Sequence, residues 1–196
     1  LATGNHVTIG DDSVDIKKVK ISGITFAQSV FKTHDAVIRI NRGVNIKLEN
    51  LYINDSHDGI FCNGVARSEF TDIWFGLEFG RGLVPSNTCF TLNGNSSGME
   101  VVNLKMTRCD GVSSHGLGTF ILVTAADWID ITQCHANLAD YFLHISHGAS
   151  NIRDVWVNDC YMDQAFKSNV LINGAGGGFC DGIKFTSNYF RAAVDD

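Results

Sequence analysis

The residues of this 196-residue chain that could carry acid–base chemistry lie in two long polar segments. Glu78 and Arg81 occupy the earlier segment, and Asp110 and His115 occupy the later one. Glycoside hydrolysis needs two carboxyl groups on either side of the bond, one protonated and one ionised. The sequence therefore predicts Glu78 and Asp110 as a catalytic pair, with Arg81 and His115 as substrate contacts.

A repeated pattern of apolar residues must position these segments. The pattern is apolar-x-apolar-x-x-apolar-x-apolar, and its clearest copy is Ile46–Ile53. Each half alternates as a half-buried strand does, and the two central residues are typical of a tight bend. A further short strand with an inward-facing apolar pair precedes each copy. The seven copies begin at residues 19, 46, 68, 99, 129, 155 and 183.

Three short strands per repeat, stacked at spacings of 22 to 31 residues, predict an all-β fold in which neighbouring repeats bury each other's faces. The pattern resembles the right-handed parallel β-helix of pectate lyases, polygalacturonases and bacteriophage tailspikes, here with about seven coils over residues 7–190. A β-sandwich would also show short alternating strands, but the sevenfold register favours the β-helix. We expect residues 1–196 to form a single β-helix domain, as a fragment of a longer chain.

The outward positions of the last strand in each repeat are rich in aromatic residues. Large aromatic side chains on a solvated face indicate a partner, which is either a sugar chain that stacks on the rings or a second subunit. The sequence leaves both open. For the sugar alternative, the predicted substrate-binding residues in this outward row are Tyr52, Trp74, Lys105, His135 and Tyr161, flanked in the row by Thr25 and Tyr189.

Another outward row lies in the short strand that precedes each copy of the pattern, and it favours a contact between subunits. It holds Phe61, Leu122 and Leu171 among more polar residues, namely Arg39, Thr91 and His144. Because tailspikes are parallel trimers, the resemblance implies a homotrimer.

Several carboxylates have an alternative, structural interpretation. Asp35, Asp58 and Asp140 each precede the first strand of a repeat, where a turn carboxylate accepts hydrogen bonds from backbone N–H groups. Asp58 and Asp140 are also the substitutes for the catalytic pair.

Composition excludes several classes of function. Lys and Arg number 15 against 21 Asp and Glu, which gives a formal charge of −6, the wrong sign for a protein that tracks nucleic-acid phosphates. No apolar run is long enough for membrane insertion. No dense carboxylate cluster indicates a metal site, and we expect no metal and no cofactor. Most of the six Cys lie in apolar slots, which predicts free buried thiols and folding in a reducing cytoplasm.

The resemblance to tailspikes implies a domain of the virion tail that binds host cell-surface polysaccharide and could cleave it by glycoside hydrolysis. The alternative is a non-catalytic receptor-binding or structural spike domain on the same rod. A free-standing microbial polysaccharide hydrolase or lyase is a third class. The fold does not choose among them, because sites are grafted onto folds.

Overall fold

The computed structural model describes residues 6–26, 36–54, 58–76, 88–94, 99–174 and 176–191, with the backbone alone between 112 and 117. These ranges contain strands and no helix, so the predicted all-β class is confirmed. No helix long and apolar enough to cross a membrane occurs in them. The strands are β1 Val7–Ile9, β2 Ile16–Lys17, β3 Lys20–Phe26, β4 Ala36–Val44, β5 Lys47–Asn54, β6 Asp58–Gly76, β7 Thr88–Asn93, β8 Val101–Thr107, β9 Asp110–Val123, β10 Ala126–Thr132, β11 His135–His147, β12 Ile152–Asn158, β13 Tyr161–Asp163, β14 Val170–Gly174, β15 Cys180–Asp181, β16 Lys184–Thr186 and β17 Tyr189–Phe190.

Strand pairing among the described residues is parallel throughout and joins each repeat to the next. Ile21 pairs with Leu48, Leu48 with Phe70, and Phe70 with Met106. Partners are therefore 22 to 36 residues apart in sequence. In-register pairing of this kind places one residue from every repeat in the same row, so each outward or inward position becomes a continuous row along the molecule.

Two rows of left-handed backbone turn the chain within each repeat. Asn50 and Asp72, at φ 52° and 54°, lie in one row, and Asn45 and Asn103, at φ 55° and 53°, lie in the other. Asn, Asp and Gly tolerate this conformation better than other residues, because a short polar side chain bonds locally and glycine has no Cβ. The predicted bends are confirmed. The rows are Gly23, Asn50, Asp72, Arg108, Gln133, Asp159 and Ser187, and Lys18, Asn45, Arg67, Asn103, Trp128, Asp154 and Gly182.

The core is built from inward rows that alternate with the outward ones. Four phenylalanines from successive repeats form a continuous ladder, in which Phe90 meets Phe75 and Phe120 edge to face at 4.9 and 5.6 Å between ring centroids, and Phe120 meets Phe142 at 5.5 Å. Leu104 is fully buried beside the exposed Lys105, which confirms the predicted alternation at that point.

The register differs from the prediction at the fourth repeat by five residues. The sequence pattern placed Val101 beside Phe70, whereas the structure pairs Phe70 with Met106 and Trp74 with Asp110. The matching copy ends in Gly111, where an apolar residue was expected. A Cβ at Gly111 would lie 2.7 Å from the Phe120 ring, so that ring already fills the slot that a larger side chain fills in other repeats.

All six cysteines are free thiols, as predicted: five are buried and Cys180 is half-buried. Cys109, Cys134 and Cys160 occupy one inward row, since His135 pairs with both Asp110 and Tyr161. The Cys160 Sγ lies 3.4 Å from the backbone N of Cys134. Burial raises the pKa of Cys62 and Cys89 far above that of a free thiol.

Candidate functional site

The row of outward aromatic residues is confirmed in the structure, with one member exchanged. Tyr52 pairs with Trp74, Trp74 with Asp110, and Asp110 with His135. His135 in turn pairs with Tyr161. We call this set the aromatic row: Thr25, Tyr52, Trp74, Asp110, His135, Tyr161 and Tyr189.

Asp110 divides the aromatic row into two stacks of rings. Tyr52 and Trp74 stack with centroids 4.3 Å apart and planes inclined by 17°. On the other side, Tyr161 lies 4.9 Å from His135 and stacks on Tyr189 at 5.1 Å and 7°. Because adjacent parallel strands are about 4.8 Å apart, the strands of Trp74 and His135 are separated by about 10 Å, with only the carboxylate strand between them.

The Asp110 carboxyl lies in a setting that disfavours its charge. Its Oδ1 is 3.8 Å from Nδ1 of His135, and its side chain is 41% exposed. Burial is the main cause that raises the pKa of Asp110, the carboxylate of Asp72 adds to this effect, and His135 opposes it. A carboxyl whose pKa is raised is suited to hold a proton and to donate it as a general acid.

Unpartnered polar atoms accompany the aromatic row. In the described part of the chain, Asn54 Oδ1, His135 Nε2 and Asn137 Oδ1 are buried without a hydrogen-bond partner. Asn54 and Asn137 each follow an aromatic-row residue by two positions, so they belong to the same outward side of the strand. Buried polar atoms are almost always paired in folded proteins, and unpaired ones call for an explanation such as a bound ligand.

Lys105, predicted in the aromatic row, lies elsewhere. The five-residue shift places Lys105 between Glu69 and Asp130 in a charged row. We call this set the charged row: Lys20, Lys47, Glu69, Lys105, Asp130, Trp156 and Lys184. The prediction that Lys105 shares a surface with Tyr52 and Trp74 was therefore wrong, because Asp110 takes that place.

The other predicted catalytic and loop residues are only partly described. Glu78 and Arg81 lie outside the described residues, as does Asp35. His115 lies within β9, where only the backbone is described. The structure thus places one member of the predicted catalytic pair, Asp110, and leaves its pairing with Glu78 a prediction.

Two carboxylates considered as substitutes have structural contacts. Asp58 Oδ1 accepts a hydrogen bond from the backbone N of Thr88 at 3.3 Å. Asp140 accepts one from the Lys167 ammonium at 2.7 Å. Both contacts join neighbouring repeats. That of Asp58 agrees with the predicted structural interpretation, whereas the donor to Asp140 is a lysine ammonium rather than a backbone N–H group.

The predicted second outward row is confirmed in register. Arg39 pairs with Phe61, Phe61 with Thr91, and Thr91 with Leu122. The row continues through His144 to Leu171. The Arg39 guanidinium lies over the Phe61 ring, 4.5 Å from its centroid, so part of this apolar surface is covered within the chain itself.

Sequence reasoning missed a groove that contains Trp128, a residue in the same row of left-handed bends as Asn45 and Asn103. Its signal was an aromatic residue at a bend position that no aromatic residue fills in the other repeats. Within the described residues, no group of three or more His, Cys, Asp or Glu is arranged to hold a metal ion.

Comparison with known proteins adds no identification: no protein-family model matches the chain, and a search of curated proteins finds no match.

Proposed function

We propose that this chain is a right-handed parallel β-helix of the tailspike type, with about seven coils, that binds host cell-surface polysaccharide along the aromatic row. The in-register parallel pairing of successive repeats supports the β-helix, because such pairing is the arrangement that stacked coils require. The single observation that carries the binding proposal is the break in the aromatic row at Asp110.

That break is shaped for a sugar ring. Trp74 stacks on Tyr52 with one face, which leaves its other face on the side of Asp110, and His135 holds its Nδ1 3.8 Å from the Asp110 carboxylate. The strands of Trp74 and His135 are about 10 Å apart, which is two strand spacings. A pyranose at this break would place a C–H face against the Trp74 ring and its hydroxyl groups beside Asp110 and the Nδ1 of His135.

The same arrangement would hydrolyse the bound polysaccharide if a second carboxylate lay beside the glycosidic bond. Asp110, with its raised pKa, would protonate the leaving oxygen, and Glu78 would act as the ionised partner through which water replaces that oxygen at the sugar carbon. The alternative, a non-catalytic receptor-binding spike, keeps the sugar site and lacks this second carboxylate. In either case, the apolar residues Phe61, Leu122 and Leu171 would face neighbouring subunits in a homotrimer on the virion tail.

The experiment is a glycan-array screen of the full chain, followed by product analysis of each glycan that binds. We expect at least one bacterial surface polysaccharide among the bound glycans. Release of shorter oligosaccharides, reduced about a hundredfold or more in Asp110→Asn with binding retained, would support hydrolysis. Binding without products would support the non-catalytic spike. Failure to bind any glycan would overturn the proposal, and sedimentation equilibrium would show independently whether the chain is a trimer.

A further inference from the structure

A groove of about 730 Å³ lies along the left-handed bend row that contains Arg67, Asn103 and Trp128. None of its lining residues belongs to the aromatic row. Because each repeat contributes one residue to each row, the groove crosses several repeats, as an extended ligand requires.

The floor of the groove is apolar and then acidic. Val44 pairs with Ala66, Ala66 with Val102, and Val102 with Asp127, so these four residues follow one another in adjacent repeats. At about 4.8 Å per strand, the three steps span about 14 Å. This length accommodates a short oligosaccharide rather than a single small molecule.

Trp128 forms part of the groove wall in a conformation that is costly for a bulky side chain. Its φ is 63°, and it is the one aromatic residue of its row, whose other members are Lys18, Asn45, Arg67, Asn103, Asp154 and Gly182. The indole is 49% exposed and packs against Trp156 with ring centroids 5.2 Å apart. The contact with Trp156 leaves about half of the indole exposed, and a large exposed aromatic residue at a backbone position that disfavours it points to a role in binding.

The charges of the groove residues cancel, and these residues differ in whether the chain already pairs them. Arg42 is paired with Asp15, at 2.8 Å between Nη2 and Oδ1. Arg67 is exposed and has no hydrogen bond or ion pair with the described residues, and Asp127 supplies a half-buried carboxylate at the other end. With two arginines and two aspartates among the lining residues, the groove does not favour a charged ligand.

We propose that this groove is a second carbohydrate site, specific for an uncharged oligosaccharide. A sugar ring stacks on the free part of the Trp128 indole. Hydroxyl groups of the chain donate to Asp127 and accept from Arg67, which suits a ligand whose every hydroxyl both donates and accepts. The site does not depend on the aromatic row, and the two can be tested separately.

The test titrates neutral and acidic oligosaccharides from a glycan screen against the full chain and two variants. Trp128→Asn removes the ring and installs a residue that the same row already holds at positions 45 and 103. Trp74→Ala is the matched control, since it removes an aromatic residue from the other site. We expect a neutral oligosaccharide to bind the unmodified chain. Its Kd should rise about tenfold in Trp128→Asn and less than twofold in Trp74→Ala.

Three results would overturn this second site. They are the absence of any bound neutral oligosaccharide, unchanged affinities in Trp128→Asn, and a lower sedimentation mass of Trp128→Asn, which would make the ring a subunit contact. Loss of binding in Trp74→Ala alone would support the aromatic row and count against the groove, so failures of the two proposals are distinguishable. Circular dichroism of Trp128→Asn should match the unmodified chain, and an unfolded variant would be replaced by Trp128→His.

Discussion

The charged row and the aromatic row occupy the same repeats, five residues apart, and their carboxylates have different neighbours. In the charged row, each carboxylate has a lysine as a direct neighbour: Glu69 lies 2.8 Å from Lys47 and pairs in register with Lys105, which also pairs with Asp130. In the aromatic row, the Asp110 carboxylate lies between the strands of Trp74 and His135. Stability explains the first arrangement, since opposite charges across strands attract. It does not explain the second, which is why we assign function to the aromatic row.

Asp72 and Asp110 show the same contrast in the neighbours of their carboxylates. Asp72 lies two residues before Trp74, and Asp110 is the neighbour of Trp74 in the aromatic row. Asp72 accepts two hydrogen bonds from Arg108, at 2.6 and 2.8 Å, and these bonds lower its pKa. Burial raises the pKa of Asp110, which lacks a comparable partner among the described residues. The fold thus lowers the pKa of Asp72 and raises that of Asp110.

The largest expected effect tests the register on which both rows depend. Leu104→Asp places a charge at a fully buried position, and we expect a loss of about 3 kcal/mol or more in the free energy of unfolding. Lys105→Gln, one residue along on the exposed side, should change it by less than about 0.5 kcal/mol. Urea denaturation measures both, and equal losses would mean that the alternation assigned to β8 is wrong.

A second effect concerns the inward row of Cys109, Cys134 and Cys160, which lies next to the aromatic row. All three thiols are buried and therefore inaccessible to reagents. A hydrogen bond with the Cys109 thiol raises the pKa of Cys134, and a hydrogen bond with the Cys134 thiol together with burial raises the pKa of Cys160. We expect thiol titration to find six free thiols in the denatured, unreduced protein and rapid reaction of one, Cys180, in the native protein. Rapid native reaction of four or more would show that the rows are not packed as described.

The smallest expected effect compares the two carboxylates directly. The folded-state pKa of Asp72 lies below its ordinary value of 3.8, so its stabilisation is present above that pH and is lost as the pH falls through the folded-state pKa. The folded-state pKa of Asp110 lies above 3.8, so its stabilisation is present below that pH and is lost as the pH rises through the folded-state pKa.

At pH 7, Asp72→Asn should therefore lower Tm by about 1–2 °C, whereas Asp110→Asn should leave Tm unchanged or raise it slightly. Near pH 3 the difference between the two variants should shrink. Calorimetry at both values measures this contrast. A fall in Tm at pH 7 for Asp110→Asn as large as that for Asp72→Asn would show that Asp110 is a structural carboxylate.

The sequence predicts what depends on alternation and on bend chemistry. The inward and outward positions of Leu104 and Lys105 and the left-handed residues at Asn50 and Asp72 follow from local patterns. The register between repeats does not, because it depends on packing across repeats. At Gly111 the Phe120 ring fills the expected apolar slot, and the local pattern alone selected the wrong one of two bends.

The candidate site was predicted in composition but not in arrangement. Tyr52, Trp74, His135 and Tyr161 were assigned to one row because their spacing repeats outside the shifted segment. Asp110 was selected as a catalytic residue from its place in a long polar segment, without any indication that it begins strand β9 and interrupts that row. The position of Trp128 could not be found from periodicity, since periodicity describes strands and Trp128 lies at a bend.

The most direct test of the aromatic row is a calorimetric titration of a polysaccharide that binds the chain against Trp74→Ala and Lys105→Gln. The first variant removes a ring from the aromatic row, and the second removes a charge from the charged row at an exposed position. Our account predicts that the Kd rises about tenfold for Trp74→Ala and less than twofold for Lys105→Gln, with the sedimentation mass of both variants unchanged. An unchanged Kd for Trp74→Ala, or a lower mass for that variant, would contradict it and would make the aromatic row a contact between subunits.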